Sequence, residues 1–159
     1  MATIKKKSMG EAQFGGFTPY GNVTALRATL QTNATGGALN ADAATALAIN
    51  DKVYLQLLPE GFVLDDAQAV VSTAFTANVT GDLGFEYVDG VDHAEVPQDA
   101  AYFGAALVLS AAARLRATGT KAPVKLPKQA YLVLTIKGAA NAKAARLDVV
   151  VTGERFGPK

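Results

Sequence analysis

Tyr131-Leu132-Val133-Leu134-Thr135-Ile136-Lys137, followed by Arg146-Leu147-Asp148-Val149-Val150-Val151-Thr152, decides the fold class. Both runs are short, aliphatic and β-branched, which is the signature of strands. The intervening Gly138-Ala139-Ala140-Asn141-Ala142 reads as the hairpin that joins them. Upstream the same period of two recurs. Asn78 to Tyr87 places Val79, Leu83, Phe85 and Tyr87 on one face and Thr80, Asp82 and Glu86 on the other. Val53 to Leu58 is a further strand, and Pro59-Glu60-Gly61 turns it into Phe62-Val63-Leu64, with Asp65-Asp66 before a run from Ala67 to Phe75.

Asp89-Gly90 breaks the chain, and residues 91–101 form a polar loop in which Pro97 forbids a strand. Residues 99–116 are open to two readings: their Ala and Leu content suits a helix, whereas Gly104 and Leu107-Val108-Leu109 suit a strand. The sequence favours a short helical turn over Asp99 to Phe103, then a strand. Asn22 to Thr32 predicts a first strand, and Asn40 to Ala48 a short helix capped by Asn40 or Asp42. Seven to nine strands with no βαβ alternation imply an all-β fold, an antiparallel jelly-roll-like β-sandwich with at most one or two short helices.

Residues 1–21 differ from the rest. Glycines punctuate the stretch, Phe14, Phe17 and Tyr20 are spaced between them, and Lys5, Lys6 and Lys7 precede them. This is expected to be an extended N-terminal arm ahead of a single sandwich domain over residues 22–159. Such an arm either folds back over its own domain or reaches a partner, where rigid aromatic side chains make good anchors. The basic start is followed by no apolar run suited to a signal peptide, and nowhere is there an apolar stretch of about 18 residues to span a bilayer.

The 159 residues suit one domain, half of them are apolar, and there is no cysteine, which rules out disulfides and thiolate chemistry. A net charge of +1 hides segregation along the chain. Residues 1–50 carry four Lys/Arg against two acids, giving +2; residues 51–100 carry one Lys against ten acids, giving −9; the remainder carries ten bases against two acids, giving +8. Either the strands interleave and mix these charges, or the subunit is two-faced, its acidic edge meeting a neighbour's basic edge.

No catalytic constellation is legible. His93 is the single histidine, too few for a zinc set or a Ser-His-Asp triad, and no nucleophile elbow accompanies it. Asp65-Asp66 and the acids from Asp82 to Asp99 match neither an EF-hand nor, without tryptophan, a sugar cleft. Gly36-Gly37 lacks the Lys-Ser/Thr of a phosphate loop, and Arg114, Arg116, Lys121, Lys125 and Lys128 have no interleaved aromatic platform for nucleic acid. The expectation is a non-enzymatic protein with no metal and no cofactor, no nucleic-acid partner and no membrane partner.

Ser72-Thr73-Ala74-Phe75, Val79-Thr80-Gly81-Asp82-Leu83-Gly84-Phe85, Asp89-Gly90, Pro97-Gln98-Asp99-Ala100-Ala101-Tyr102-Phe103, Leu132 to Ala139 and Arg146 to Val151 occur in an order that resembles the head decoration (cement) proteins of tailed bacteriophages. The resemblance spans roughly residues 51–152 and leaves out the N-terminal stretch and the Gly153-Glu154-Arg155-Phe156 ending. It implies a jelly-roll-like subunit, a homotrimer ahead of a dimer, that is assembled in the host cytoplasm. On the capsid outer surface it would clamp adjacent major capsid proteins, with Lys5, Lys6, Lys7, Phe14, Phe17 and Tyr20 as the partner-binding residues. The alternatives are another virion component, such as a head fibre base or tail protein, and a carbohydrate-binding β-sandwich.

Overall fold

The structure, a computed structural model, describes residues 2–5 and 23–155. Ten strands follow in order: β1 (Thr3–Lys5), β2 (Val23–Gln31), β3 (Lys52–Leu58), β4 (Phe62–Thr73), β5 (Thr80–Tyr87), β6 (Asp99–Val108), β7 (Ala113–Arg116), β8 (Val124–Lys125), β9 (Ala130–Lys137) and β10 (Arg146–Arg155). They form two sheets. The first, sheet A, has the order β1-β3-β9-β5-β6, and the second, sheet B, the order β2-β10-β4-β7, with β8 also on β4. Every pair is antiparallel except β1–β3, which is parallel. No helix occurs among the described residues, so the fold is the all-β, jelly-roll-like sandwich that the alternating pattern predicts.

Alternation builds the core directly. Along β10, Leu147, Val149 and Val151 point inward and are buried; along β2 the inward set is Leu26, Ala28 and Leu30, and along β4 it is Ala67, Ala69 and Val71. Sheet A contributes Leu132, Leu134 and Ile136 from β9 with Leu83, Phe85 and Tyr87 from β5. These merge into one cluster between the sheets, and each fully buried large aliphatic or aromatic side chain contributes on the order of 1.5–3 kcal/mol.

Several local expectations are corrected. Residues 138–142 are no hairpin, because β9 pairs with β3 and β5 in sheet A, whereas β10 pairs with β2 and β4 in sheet B. The segment is a crossover, tied down by Asn141. Completely buried, that side chain accepts from the Thr76 amide (3.1 Å) and Thr76 Oγ1 (3.2 Å) and donates to Thr32 Oγ1 (3.1 Å) and the Lys143 carbonyl (2.8 Å). Its own amide donates to the Leu47 carbonyl at 2.8 Å. Three loops at one end of the sandwich are thereby joined through one amide side chain.

Asp99 to Phe103 is strand, not helical turn. Pairing with β5 overrides alanine's helical preference: Asp99 lies opposite Phe85, Gly104 opposite Leu83 and Leu107 opposite Gly81. The uneven register makes β6 bulge over Gly84, where a Cβ would stand 2.0 Å from the Asp99 carbonyl oxygen. Asn40 to Ala48 is not helical either. Asn40 takes a positive φ of 53°, and Gly37 bridges to Ala46, so the segment loops back on itself and buries Leu47. Asp65-Asp66 does not separate two strands, since β4 runs unbroken from Phe62 to Thr73, with a register shift against Thr152/Gly153.

At the N-terminus, Ala2 to Lys5 lies on the body. The Ala2 amide donates to Asp51 Oδ1 at 2.7 Å, the Lys5 amide to Asp42 Oδ1 at 2.9 Å, and Ile4 is fully buried.

Candidate interaction surfaces

The charge blocks of the sequence interleave in space. Arg116 pairs with Asp66 (2.7 Å), Lys121 with Asp99 and Lys128 with Asp89 (2.7 Å), each joining the basic third of the chain to its acidic middle. The mixed-charge reading therefore describes the body, and the two-faced subunit does not. The Lys128 hydrogen bond and the Val91 amide hold the Asp89 carboxyl below the usual carboxylate range. Burial pushes Asp99 up, but the Lys121 ammonium and the Ala101 amide outweigh it and hold that carboxyl low.

His93 sits beside a groove of about 540 Å³ at the end of the sandwich where the Pro59–Gly61 turn, the 88–98 loop and the 123–127 segment meet. Its Nδ1 accepts from the Glu95 amide at 3.3 Å, and Glu60, Glu95, Pro123 and Pro127 are among the other lining residues. Among the described residues no three His, Asp or Glu side chains gather as a metal-ligand set. The acids from Asp65 to Asp99 are spread over loops and both sheets.

Outside the core, the two sheets present different faces. On sheet A, Tyr54 of β3 stacks on Tyr131 of β9 with ring centroids 4.6 Å apart. The Lys5 ammonium lies 5.9 Å and 5.6 Å from their centres, within cation–π range. The Tyr54 hydroxyl donates to Glu86, which also pairs with Lys52. Burial, then the hydrogen bond and charge of Glu86, push the Tyr54 phenol up to about 12. Val133 faces this side by its alternation with Leu132 and Leu134, between Tyr54 and Gly84 in register, and is nonetheless buried. Thr135, two residues on along β9, is buried on the same face, and its hydroxyl has no hydrogen-bond partner among the described residues.

Sheet B's outer face is built from arginine. All five arginines of the chain lie on its strands: Arg27 on β2, Arg114 and Arg116 on β7, Arg146 and Arg155 on β10. Register sets four of them in two adjoining rows and the row beside them. Arg27, Val150, Gln68 and Arg116 lie side by side across β2, β10, β4 and β7, and Thr29, Asp148, Val70 and Arg114 form the next row. Arg146 follows, opposite Gln31. Arg146 grips Asp148 through Nε at 2.9 Å and Nη2 at 3.2 Å, and that contact holds the Asp148 carboxyl low, with a further bond from Thr29 and burial opposing. Arg114 reaches only the Gln68 amide oxygen, at 2.6 Å, and Arg27 is exposed with no ion pair to a described residue.

Of the residues expected to bind a partner, Lys5 is the one described, and it lies on its own domain over Tyr54 and Tyr131. Lys6, Lys7, Phe14, Phe17 and Tyr20 lie outside the described residues. The arginine face had no counterpart in the sequence reading. Arg27, Arg114, Arg116 and Arg146 each alternate outward within their own strands, whereas Arg155 shares the parity of the inward Leu147, Val149 and Val151, and only the strand order brings positions 27, 114, 116 and 146 together.

No family model matches the sequence, and no curated protein matches it. Two solved structures share the fold. One is a chain from "Capsid of Ralstonia phage GP4", with a TM-score of 0.66 and 15% identity over 98% of this chain and 99% of that one. Another is a chain from "Cyanophage Pam1 capsid asymmetric unit", with a TM-score of 0.58 and 13% identity over 93% of this chain and 96% of that one. At such identities the likeness is one of fold. It extends over nearly the whole of each chain, so it concerns the fold as a unit.

Proposed function

We propose that this chain is a non-enzymatic structural protein of a phage virion, one that decorates the outer surface of the capsid and braces it by clamping adjacent major capsid proteins. The observation that carries this reading is the near end-to-end fold match to chains taken from two phage capsids. The finer assignment to decoration is supported by the order of motifs over residues 51–152, which resembles the head decoration proteins of tailed bacteriophages.

Physically, a clamp needs a rigid body and several weak attachments. A sandwich with one continuous core supplies the first. A closed homo-oligomer, a trimer ahead of a dimer, would supply the second, because several feet on one lattice gain avidity without any single tight contact. Phe14, Phe17 and Tyr20 with Lys6 and Lys7 are the proposed anchors of the arm. Lys5 is better placed as the arm's root, since it is held between the stacked tyrosines and Asp42.

Purified particles are expected to carry the chain in a fixed ratio to the major capsid protein, and to rupture at lower internal pressure or temperature without it. A chain found only in lysate, absent from particles, overturns the reading. The arm is tested by replacing Phe14, Phe17 and Tyr20 with alanine in place. Deleting residues 1–21 would also remove the buried Ile4 and its strand pairing.

A further inference from the structure

From the arrangement on sheet B we infer that its arginine-bearing outer face is the surface that docks on the partner, and that the matching surface is a protein patch carrying carboxylates around a small apolar centre. This rests on the proposed function and names the part of the body that would serve it.

Three observations carry the inference. Every arginine is on a strand of sheet B, whereas of the lysines on described strands only Lys125, on β8, is there, those at positions 5, 52 and 137 being on sheet A. A planar guanidinium is less strongly hydrated than an ammonium and binds a carboxylate through two hydrogen bonds, so arginine is enriched at protein interfaces where lysine is depleted. Next, the face is unfinished electrostatically. Arg116 and Arg146 have carboxylate partners, but Arg27 and Arg114, on opposite borders of the sheet and about 14 Å apart at strand spacing, have none among the described residues. Finally, the half-buried Val70 and Val150 lie between those borders, an apolar centre with a charged rim.

Charge complementarity selects the occupant. Two arginines ready to accept carboxylates call for an acidic protein surface. Nucleic acid is disfavoured, because Asp66 and Asp148 stand among the arginines and would face phosphates, and no aromatic side chain projects from these rows for bases to stack on. Pairing with a second copy is also disfavoured, because Asp66 and Asp148 of this face are already held by Arg116 and Arg146.

The test is binding of purified chain to capsid particles lacking it, with Arg27→Glu/Arg114→Glu compared with the wild type, with Arg27→Lys/Arg114→Lys and with the sheet A control Lys137→Glu. Neither arginine holds a carboxylate among the described residues, so the variants should melt with the wild type. Loss of particle binding by about tenfold or more in the glutamate pair, an intermediate loss in the lysine pair and none in the control is the expected result. If the glutamate pair binds as the wild type does, this inference falls while the capsid role stands. If the wild type itself does not bind, both fall. Should the glutamate pair instead change the light-scattering mass of the free protein, or abolish binding to a labelled DNA duplex that the wild type retains, the face serves another copy or nucleic acid and the inference is overturned.

Discussion

The hydroxyl of Tyr54 donates to Glu86 Oε2 across 3.0 Å, on the outer face of a sheet where Lys52 also pairs with Glu86. A phenol in this position resists ionisation, because tyrosinate would face a carboxylate with its surroundings partly stripped of water.

Tyr54 and Tyr87 are each pushed up to about 12, the first by burial and Glu86, the second by burial and the charges of Asp92 and Asp89. Their phenols are more acidic in the unfolded chain, at about 10. The stability they confer is therefore whole below pH about 10 and is lost as pH rises through about 12. Spectrophotometric titration should show a late tyrosinate step coinciding with unfolding, and Tyr54→Phe should shrink that step. A single step near the free value in the folded protein contradicts the assignment.

Acid acts through the opposite sign. Asp148 is held low by Arg146, and Asp99 by Lys121 and the Ala101 amide against its burial. Depressed carboxyls add stability that is present above their unfolded value of about 4 and is lost as pH falls through the folded one. Melting temperature should thus be flat between pH 5 and 7 and fall below about 4. In Asp148→Asn that fall should be shallower, as thermal melts across the range would show.

Asn141→Ala removes a side chain that satisfies Thr32, Thr76 and two carbonyls in a fully buried site. Buried groups left without partners cost about 1–3 kcal/mol each, so a loss of roughly 3 kcal/mol is expected by denaturant titration. Asn141→Asp should cost a similar amount, since it replaces the donating amide with an acceptor.

Gly153 lies at the register shift between β10 and β4, where a Cβ would stand 1.8 Å from the Val63 carbonyl oxygen. Gly153→Ala forces the two strands apart and should destabilise by about 3 kcal/mol or more. Val150→Ala, two strand turns away on the open face of the same strand, should change the melting temperature far less.

How much of this the sequence discloses depends on the range of the interaction. Leu147, Val149 and Val151 announce an inward face because alternation is a property of one strand. Which strand lies alongside is a property of the whole topology, and an eight-residue connection such as 138–145 has length enough for a hairpin or a crossover. Alanines at 100 and 101 prefer helix locally, but Leu83 and Phe85 of β5 supply a ladder that overrides them. The cap expected at Asn40 fails because its backbone adopts the left-handed region to close a loop. Arg27 and Arg116 share one row across the sheet although 89 positions separate them, an alignment that no local pattern encodes.

Seven of the nine connections cross between the sheets, and only β5–β6 and β7–β8 stay within one. The last strand, β10, is inserted between β2 and β4 and is the bridge that makes them one sheet. During synthesis the early strands must therefore wait, edges exposed, until residues 146–155 have left the ribosome. Removing residues 146–155 would leave β2 without a neighbour and the facing edge of β4 unpaired, an open edge that favours aggregation.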